Sequence, residues 1–306
     1  MKKMLILALI PILASCLGIS KEDYCEKAWR FDLECALNYT LSEKEIAKIS
    51  NLAEKLNGRD CAKTAWNILE WTEENIRYND SKASLPAPKI TIKGREVIVD
   101  NPWRVYQTPE ETLMLRSGIC GDYAILITAL LLKNNCKAYI AYVNFKNSEI
   151  DHLASLVLLD RFYVLDQKLP PIDLASYYRK WLRDGKEVES LEIYERDRRI
   201  MNLTAEDMLS QDYEFKTEDL RKMEFLLTEK LKKSFVQDEI AVYREKFILR
   251  MSFEGLADLY SPVFAEEFAE MIYKKVMERI KGKWSRFKLE IQLQWPDIIL
   301  NLSLAN

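Results

Sequence analysis

Histidine occurs once in 306 residues, at His152, which excludes every mechanism that needs two imidazoles and most histidine-ligated metal centres. Glycine occurs only 8 times. Neither G-x-G-x-x-G nor G-x-x-x-x-G-K-[ST] is present, so the usual glycine-rich phosphate cradles are excluded. A nucleophile elbow of the form G-x-S-x-G is missing too. No two of the 6 cysteines, at positions 16, 25, 35, 61, 120 and 136, are spaced C-x-x-C, which removes zinc ribbons and thioredoxin-type redox pairs. Nor does one charge dominate: 45 Lys+Arg stand against 48 Asp+Glu, a net charge of −3. A nucleic-acid protein would carry a basic surplus to neutralise phosphates. We therefore expect no cofactor, no metal and no nucleic acid partner. What the chain does have is a core: 48% hydrophobic residues exclude disorder of the whole. Abundant Glu and Lys beside a lone histidine resemble the composition of a thermophile's protein.

Lys2 and Lys3 precede an apolar stretch over residues 4–14. That is the length of a signal-peptide core and too short to span a bilayer, which takes roughly 18 residues. Leu13-Ala14-Ser15-Cys16 resembles the lipobox of prokaryotic lipoproteins, whose Cys becomes the lipidated first residue of the mature chain. The expectation is a signal peptide over residues 1–16, lipidation at Cys16, and a protein anchored at the extracytoplasmic face of the membrane. The alternative is a single-pass protein that keeps its N-terminal anchor. Disulfides are permitted outside the cytoplasm. With Cys16 and Cys120 set aside, Cys25, Cys35, Cys61 and Cys136 allow three pairings. A bridge among the first three fits their nearness in sequence. Otherwise they are small buried hydrophobes.

Periodicity predicts a helix over residues 20–38. Ser42 opens a second, which runs through Ile46, Ile49, Leu52 and Leu56 to a stop at Asn57-Gly58. A third, over 60–77, carries Ala65, Ile68, Leu69, Thr72 and Ile76 on one stripe. A short hairpin over 90–99 should turn at Lys93-Gly94. Thr108-Pro109-Glu110-Glu111 combines a capping residue, proline at the first helical position and a glutamate three after the cap. The next helix starts near Cys120. Its stretch 124–132 is apolar all round, which marks a buried central helix. Strands are expected over 138–143, 152–159 and 162–165. Beyond Pro170-Pro171 come a helix over 173–184 and a strand at Leu191 and Ile193. Two amphipathic helices follow, carrying Leu220 to Leu231 and Phe264 to Val276, then two strands, Phe287 to Leu293 and Leu300 to Leu304.

Cys120, His152 and Asp166 are the residues that could carry chemistry together. Cys120 sits at a helix start, where the dipole and free N–H groups favour a thiolate. His152 begins a strand and is the one imidazole available as a base. Asp166 ends the next strand and could fix the imidazole tautomer. A two-residue turn at Asp160-Arg161 would set His152 opposite Leu169 and leave Asp166 on the other face. The triad therefore requires an odd-numbered turn or a bulge.

Thr108-Pro109-Glu110-Glu111, the run Arg116-Ser117-Gly118-Ile119-Cys120-Gly121-Asp122-Tyr123-Ala124, then His152, then Phe162-Tyr163-Val164-Leu165-Asp166, resemble the transglutaminase-like superfamily. The helix over 66–78, ending in Tyr78, resembles the family's helix upstream of the nucleophile. The resemblance covers roughly residues 60–170. It implies an α+β, papain-like core, in which a buried helix carrying Cys120 packs on an antiparallel sheet carrying His152 and Asp166. A helical part would precede this core and an α+β extension follow it. The expected division is a transglutaminase-like domain over 20–170 and a C-terminal region over 171–306. The short interval from Cys120 to His152 disfavours papain itself. Two departures from the family stand out: His152 is followed by Leu153-Ala154-Ser155, where an aromatic is usual, and the turn at Asp160-Arg161 lacks glycine. The calcium sites of the animal enzymes have no counterpart here. Beside the Cys120 N–H, Trp103 and Gln107 are candidates for a second oxyanion donor.

The resemblance implies a thiol-dependent amide hydrolase or acyl-transferase acting on an envelope peptide or protein through Cys120, His152 and Asp166. The alternative is an envelope-anchored module that binds peptide or glycan and keeps a vestigial triad. For the leader, Cys16→Ser should block lipid attachment and release the protein from the membrane or leave an uncleaved precursor. Metabolic lipid labelling checks this, and labelling unchanged in the variant would remove the lipoprotein reading.

Overall fold

The computed structural model describes residues 19–148, 151–238, 240, 243 and 246–306. The leader and Cys16 lie outside them. Among the described residues no helix is long and apolar enough to cross a membrane.

Four short helices open the fold: α1 (Lys21–Ala28), α2 (Leu33–Thr40), α3 (Glu43–Ala47) and α4 (Ser50–Leu56). The two helices expected here are each broken in two. Asp32 re-caps the chain by accepting the Cys35 N–H, so the first stops and restarts there. Ser42 caps α3 as expected, but the chain leaves helical geometry before Ser50. α5 (Cys61–Asn75) is continuous, capped by Asp60, and buries Ala65, Ile68, Leu69 and Thr72 on the expected stripe.

Then come β1 (Arg77–Tyr78), α6 (Asp80–Ala83) and the hairpin β2 (Lys89–Lys93) with β3 (Glu96–Asp100). Lys93 pairs with Glu96, so the turn is Gly94-Arg95, one residue later than expected. The central segment follows as α7 (Pro109–Leu115), β4 (Ser117–Gly118), α8 (Cys120–Lys133), β5 (Ala138–Phe145), β6 (His152–Leu158), β7 (Phe162–Leu165), β8 (Ile172–Asp173) and α9 (Leu174–Arg183). The chain continues through β9 (Val188–Glu195), β10 (Arg198–Thr204), α10 (Ala205–Leu209), α11 (Thr217–Leu231), β11 (Val236–Gln237), β12 (Lys246–Phe253) and α12 (Leu256–Leu259), and closes with α13 (Ala265–Arg279), β13 (Arg286–Gln294) and β14 (Asp297–Ala305).

The fold is α+β. Its main sheet is antiparallel in the order β10-β9-β5-β6-β7-β8. α8 packs on β5 and β6 on one side and against α4, α5 and α7 on the other, which is why its sequence is apolar all round. Every residue of α8 from Gly121 to Leu131 is buried. Thr128 makes polar contacts across that interface, its hydroxyl pairing with that of Ser155 at 2.7 Å and reaching Tyr139 O at 3.3 Å. Most buried polar groups find such partners.

The expected boundary at residue 170 does not hold. β8, β9 and β10 belong to the same sheet as β6, so the core domain runs through Thr204. The remainder forms a four-stranded sheet in the order β11-β13-β14-β12, against which α11 packs. It shares a continuous apolar core with the first part. Trp66 of α5 meets Phe264 and Phe268 with ring centroids at 6.0 and 5.3 Å. The Tyr163 hydroxyl of β7 pairs with that of Ser261 at 2.7 Å.

Two disulfides staple the α-helical layer, Cys25–Cys35 and Cys61–Cys136. The second joins the start of α5 to the turn beyond α8, across 75 residues of sequence. Closing a loop of that length stabilises by about 4 kcal/mol on chain-entropy grounds. Replacing both Cys61 and Cys136 by alanine should therefore cost about that much, read as a lowered denaturation midpoint. Alkylation of the denatured, unreduced chain, mapped by mass spectrometry, should label Cys120 and spare the four paired cysteines.

Candidate active site

Cys120 is the first residue of α8, and three segments meet to put it there. β1 pairs in parallel with β4, Tyr78 opposite Gly118, which brings the end of α5 beside the start of α8. The Tyr123 hydroxyl donates to Ile76 O at 2.7 Å and ties the same two ends together. The fully buried Asp122 accepts the Ile119 N–H at 2.8 Å and the Gln107 N–H at 2.9 Å, and pairs with Lys82 Nζ at 2.6 Å. Gly118 is required next to it, because a Cβ there would lie 2.6 Å from the Asp122 Cβ. Gly121 serves the other side: a Cβ would come within 3.0 Å of the Tyr106 ring, which packs over the start of the helix. Asp122 and Lys82 were not singled out from the sequence. The signal was Asp at the third position of a helix with no capping side chain at Ile119, a place where an acid bonds the cap N–H.

The hairpin of β6 and β7 delivers the other two residues. Leu158 pairs with Phe162 and Ser155 with Leu165, leaving Leu159, Asp160 and Arg161 in the turn. An odd turn is what same-face placement demands. Continued by one residue, the register sets Asp166 opposite Ala154, diagonal to His152. His152 Nε2 lies 3.0 Å from Asp166 Oδ1. The imidazole and the Leu153 N–H both act electrostatically on the Cys120 sulfur.

α9 presses one face onto the His152–Asp166 pair. The Tyr177 hydroxyl donates to Asp166 Oδ2 at 3.1 Å, and Lys180 Nζ stands 3.7 Å from that oxygen. The Trp181 ring meets the imidazole edge to face, with centroids 5.0 Å apart. Gln167 adds a bond to Asp166 Oδ1 at 3.3 Å. The i, i+3, i+4 spacing of Tyr177, Lys180 and Trp181 put them on one helix face in the sequence, but nothing there said which element that face would meet.

These contacts set the charges. Burial pushes the Cys120 thiol up, but the His152 ring and the Leu153 N–H outweigh it and hold it below the ordinary thiol value. Burial disfavours a charged imidazole, yet the Asp166 carboxylate and the Cys120 sulfur raise His152 to about 10. Burial likewise works against the Asp166 charge, but His152, Lys180 and Tyr177 keep it ionised, below the usual carboxylate range. The three groups therefore favour one another's charged forms, thiolate, imidazolium and carboxylate.

Two sequence expectations fail here. Trp103 is 68% exposed and does not line the cleft above Cys120. The Gln107 side chain is buried away from it. Its amide lies 3.0 Å from Thr112 Oγ1, 3.1 Å from Ser117 O and 3.3 Å from Lys82 Nζ, and these partners assign its nitrogen toward Ser117 O and its oxygen toward Lys82. Gln107 thus belongs to the scaffold under the nucleophile, and neither residue can reach an oxyanion. The cleft has a volume of about 1280 Å³. Leu85, Pro86, Leu169 and Pro170 contribute apolar wall, and Tyr78 and Tyr106 flank the sulfur. Among the described residues no group of three His, Cys, Asp or Glu side chains is placed to hold a metal.

A model of the transglutaminase-like domain matches residues 47–194, a span that includes all three site residues and crosses position 170. A UPF0252 protein of Archaeoglobus fulgidus is 41% identical over 296 residues, which is 94% of this chain and 93% of that protein. A UPF0252 protein of Pyrococcus furiosus is 27% identical, covering 99% of this chain and 95% of its own. Among solved structures, Legionella pneumophila LapG aligns over 54% of this chain and 88% of its own, with 11% identity and a TM-score of 0.32.

The charge state predicts a pH profile. Thiolate is lost only as pH falls through the lowered thiol value, so iodoacetamide should alkylate Cys120 at an undiminished rate well below pH 9. In His152→Ala the imidazolium is gone and burial raises the thiol. Alkylation at pH 6.5 should then fall by about tenfold or more. An unchanged profile in the variant would mean that His152 does not hold the thiolate.

Proposed function

Because this chain belongs to the UPF0252 family and its core to the transglutaminase-like superfamily, we propose that it is a thiol-dependent amide hydrolase or acyl-transferase. The observation that carries this reading is the single imidazole of His152, paired with the Asp166 carboxylate at 3.0 Å and sharing one cleft with the Cys120 thiol, whose charge it favours. A vestigial site would have no reason to retain all three groups, a lowered thiol and an open cleft.

The steps follow from the groups present. The Cys120 thiolate attacks an amide carbonyl carbon, and the pair of electrons in the π bond moves to oxygen. The Cys120 N–H lies in the first turn of α8, where no helical acceptor exists, and is free to bond that oxyanion. The His152 imidazolium gives its proton to the leaving amine as the C–N bond breaks, leaving a thioester. Neutral His152 then takes a proton from water or from an acceptor amine, which attacks the thioester and releases the sulfur. Asp166 holds the ring and stabilises its charge in the first half of the cycle.

We place the substrate, a peptide or protein, outside the cytoplasm. Support comes from Lys2, Lys3 and the lipobox-like Cys16 in the sequence, and from two disulfides in the fold.

Cys120→Ala should abolish hydrolysis and transfer on peptide amides while leaving the unfolding midpoint nearly unchanged. Asp166→Asn should lower kcat by about a hundredfold or more with a far smaller loss of stability. Wild-type turnover in Cys120→Ala would defeat the thiol mechanism and leave a binding role.

A further inference from the structure

The cleft carries more positive charge than the proposed chemistry uses. Arg104, Lys168, Lys180 and Lys186 all line it. Among the described residues only Lys180 of these reaches a carboxylate, that of Asp166. Arg104 bonds a backbone carbonyl, Leu85 O at 3.4 Å. Lys186 stands over the rings of Phe145 and Trp181, 5.2 and 5.1 Å from their centroids. Lys168 and Lys186 are exposed, and neither makes an ion pair with a described residue.

Two carboxylates share the lining. Asp166 is engaged by His152, and Asp151 accepts the Tyr142 hydroxyl. The whole chain has more acids than bases, 48 to 45, so this balance of charge is local to the cleft. The cations come from separate segments of the lining, Arg104 between β3 and α7, Lys168 after β7, Lys180 in α9 and Lys186 after it. Arg104 shares the lining with Tyr78, Tyr106 and Cys120. Lys180 and Lys186 sit over Trp181, which touches His152. Low-dielectric walls between like charges focus the field into the cleft and draw in the opposite charge. They also penalise a ligand of the same sign.

We propose that the cleft selects acidic peptide segments, with Glu or Asp side chains next to the amide presented to Cys120. This rests on the thiol reading above and adds the substrate class to it. The same field disfavours segments bearing lysine.

The test uses the full chain and three peptidyl vinyl sulfones, identical except for Glu, Gln or Lys in the two residues before the reactive group. At low salt the Glu probe should label Cys120 about tenfold faster than the Lys probe, with Gln between them. In 0.5 M NaCl the gap should shrink to about twofold, because the cations are solvent-facing and screened. Arg104→Glu, and separately the double variant Lys168→Glu with Lys186→Glu, should narrow or reverse the order. Equal rates, or Lys ahead of Glu, while iodoacetamide still modifies Cys120, would overturn the acidic preference and leave the thiol reading standing. Failure of iodoacetamide to modify Cys120 in the folded chain would overturn both.

Discussion

The buried Asp122 carboxylate decides where the nucleophile stands. It joins the cap of α8, the residue ahead of α7, and Lys82 in α6, three segments distant in sequence that share one anion. Its position two residues into a rigid helix means that fixing Asp122 fixes Cys120 on the same turn. Removing it would leave the Lys82 cation buried and unpaired, at a cost of about 3–5 kcal/mol. The residues around it are shaped to the same end: Gly118 lets the carboxylate close in, and the Gln107 amide fills the space beneath. A buried ion pair of this kind is weak evidence for stability in itself. Its effect here is geometric, since the helix can start at Cys120 only while Asp122 is satisfied.

The second half of the site depends on a parity. A three-residue turn between β6 and β7 keeps His152 and Asp166 on one face, and α9 then covers that face with Tyr177, Lys180 and Trp181. Asp166 collects hydrogen bonds from three side chains and an ion pair from Lys180, so its charge persists at depth. That persistence is what raises the imidazole, and the raised imidazole is what lowers the thiol. The electrostatic chain runs from α9 inward to α8.

Much of this was legible in the sequence. The start of α7, the apolar α8, β7 and the late helices all carry local signals, whether a capping pattern or a hydrophobic period, that tertiary packing did not override. The parity argument for the hairpin needed only the alternation of side chains. What was missed depends on long-range contact. The break in the first helix is the exception, since Asp32 accepts the Cys35 N–H three residues on, a local cap. The domain edge at 170 was drawn at Pro170-Pro171, yet the sheet continues on the far side through β8 to β10. β10 is largely exposed, so its alternation is weak. The alternating Phe247, Leu249, Met251 and Phe253 of β12 could have been read and were not. Trp103 and Gln107 were chosen for residue type alone, and position was what excluded them.

α8 is held at both ends, by Asp122 at its first turn and by the Cys61–Cys136 bridge just beyond its last. A helix so fastened cannot slide along its axis, and the reacting sulfur keeps a constant depth beneath the cleft. The cleft walls are of a different kind, since Leu85, Pro86, Leu169 and Pro170 come from connecting segments held by single bonds, Leu85 O accepting from Arg104 and the Leu169 N–H donating to Glu73, with no disulfide or buried ion pair among them. Substitution and length change are therefore partitioned. The walls are free to drift and so to change what is admitted, while the fastened helix keeps the chemistry the same, which makes this scaffold readily evolvable in specificity.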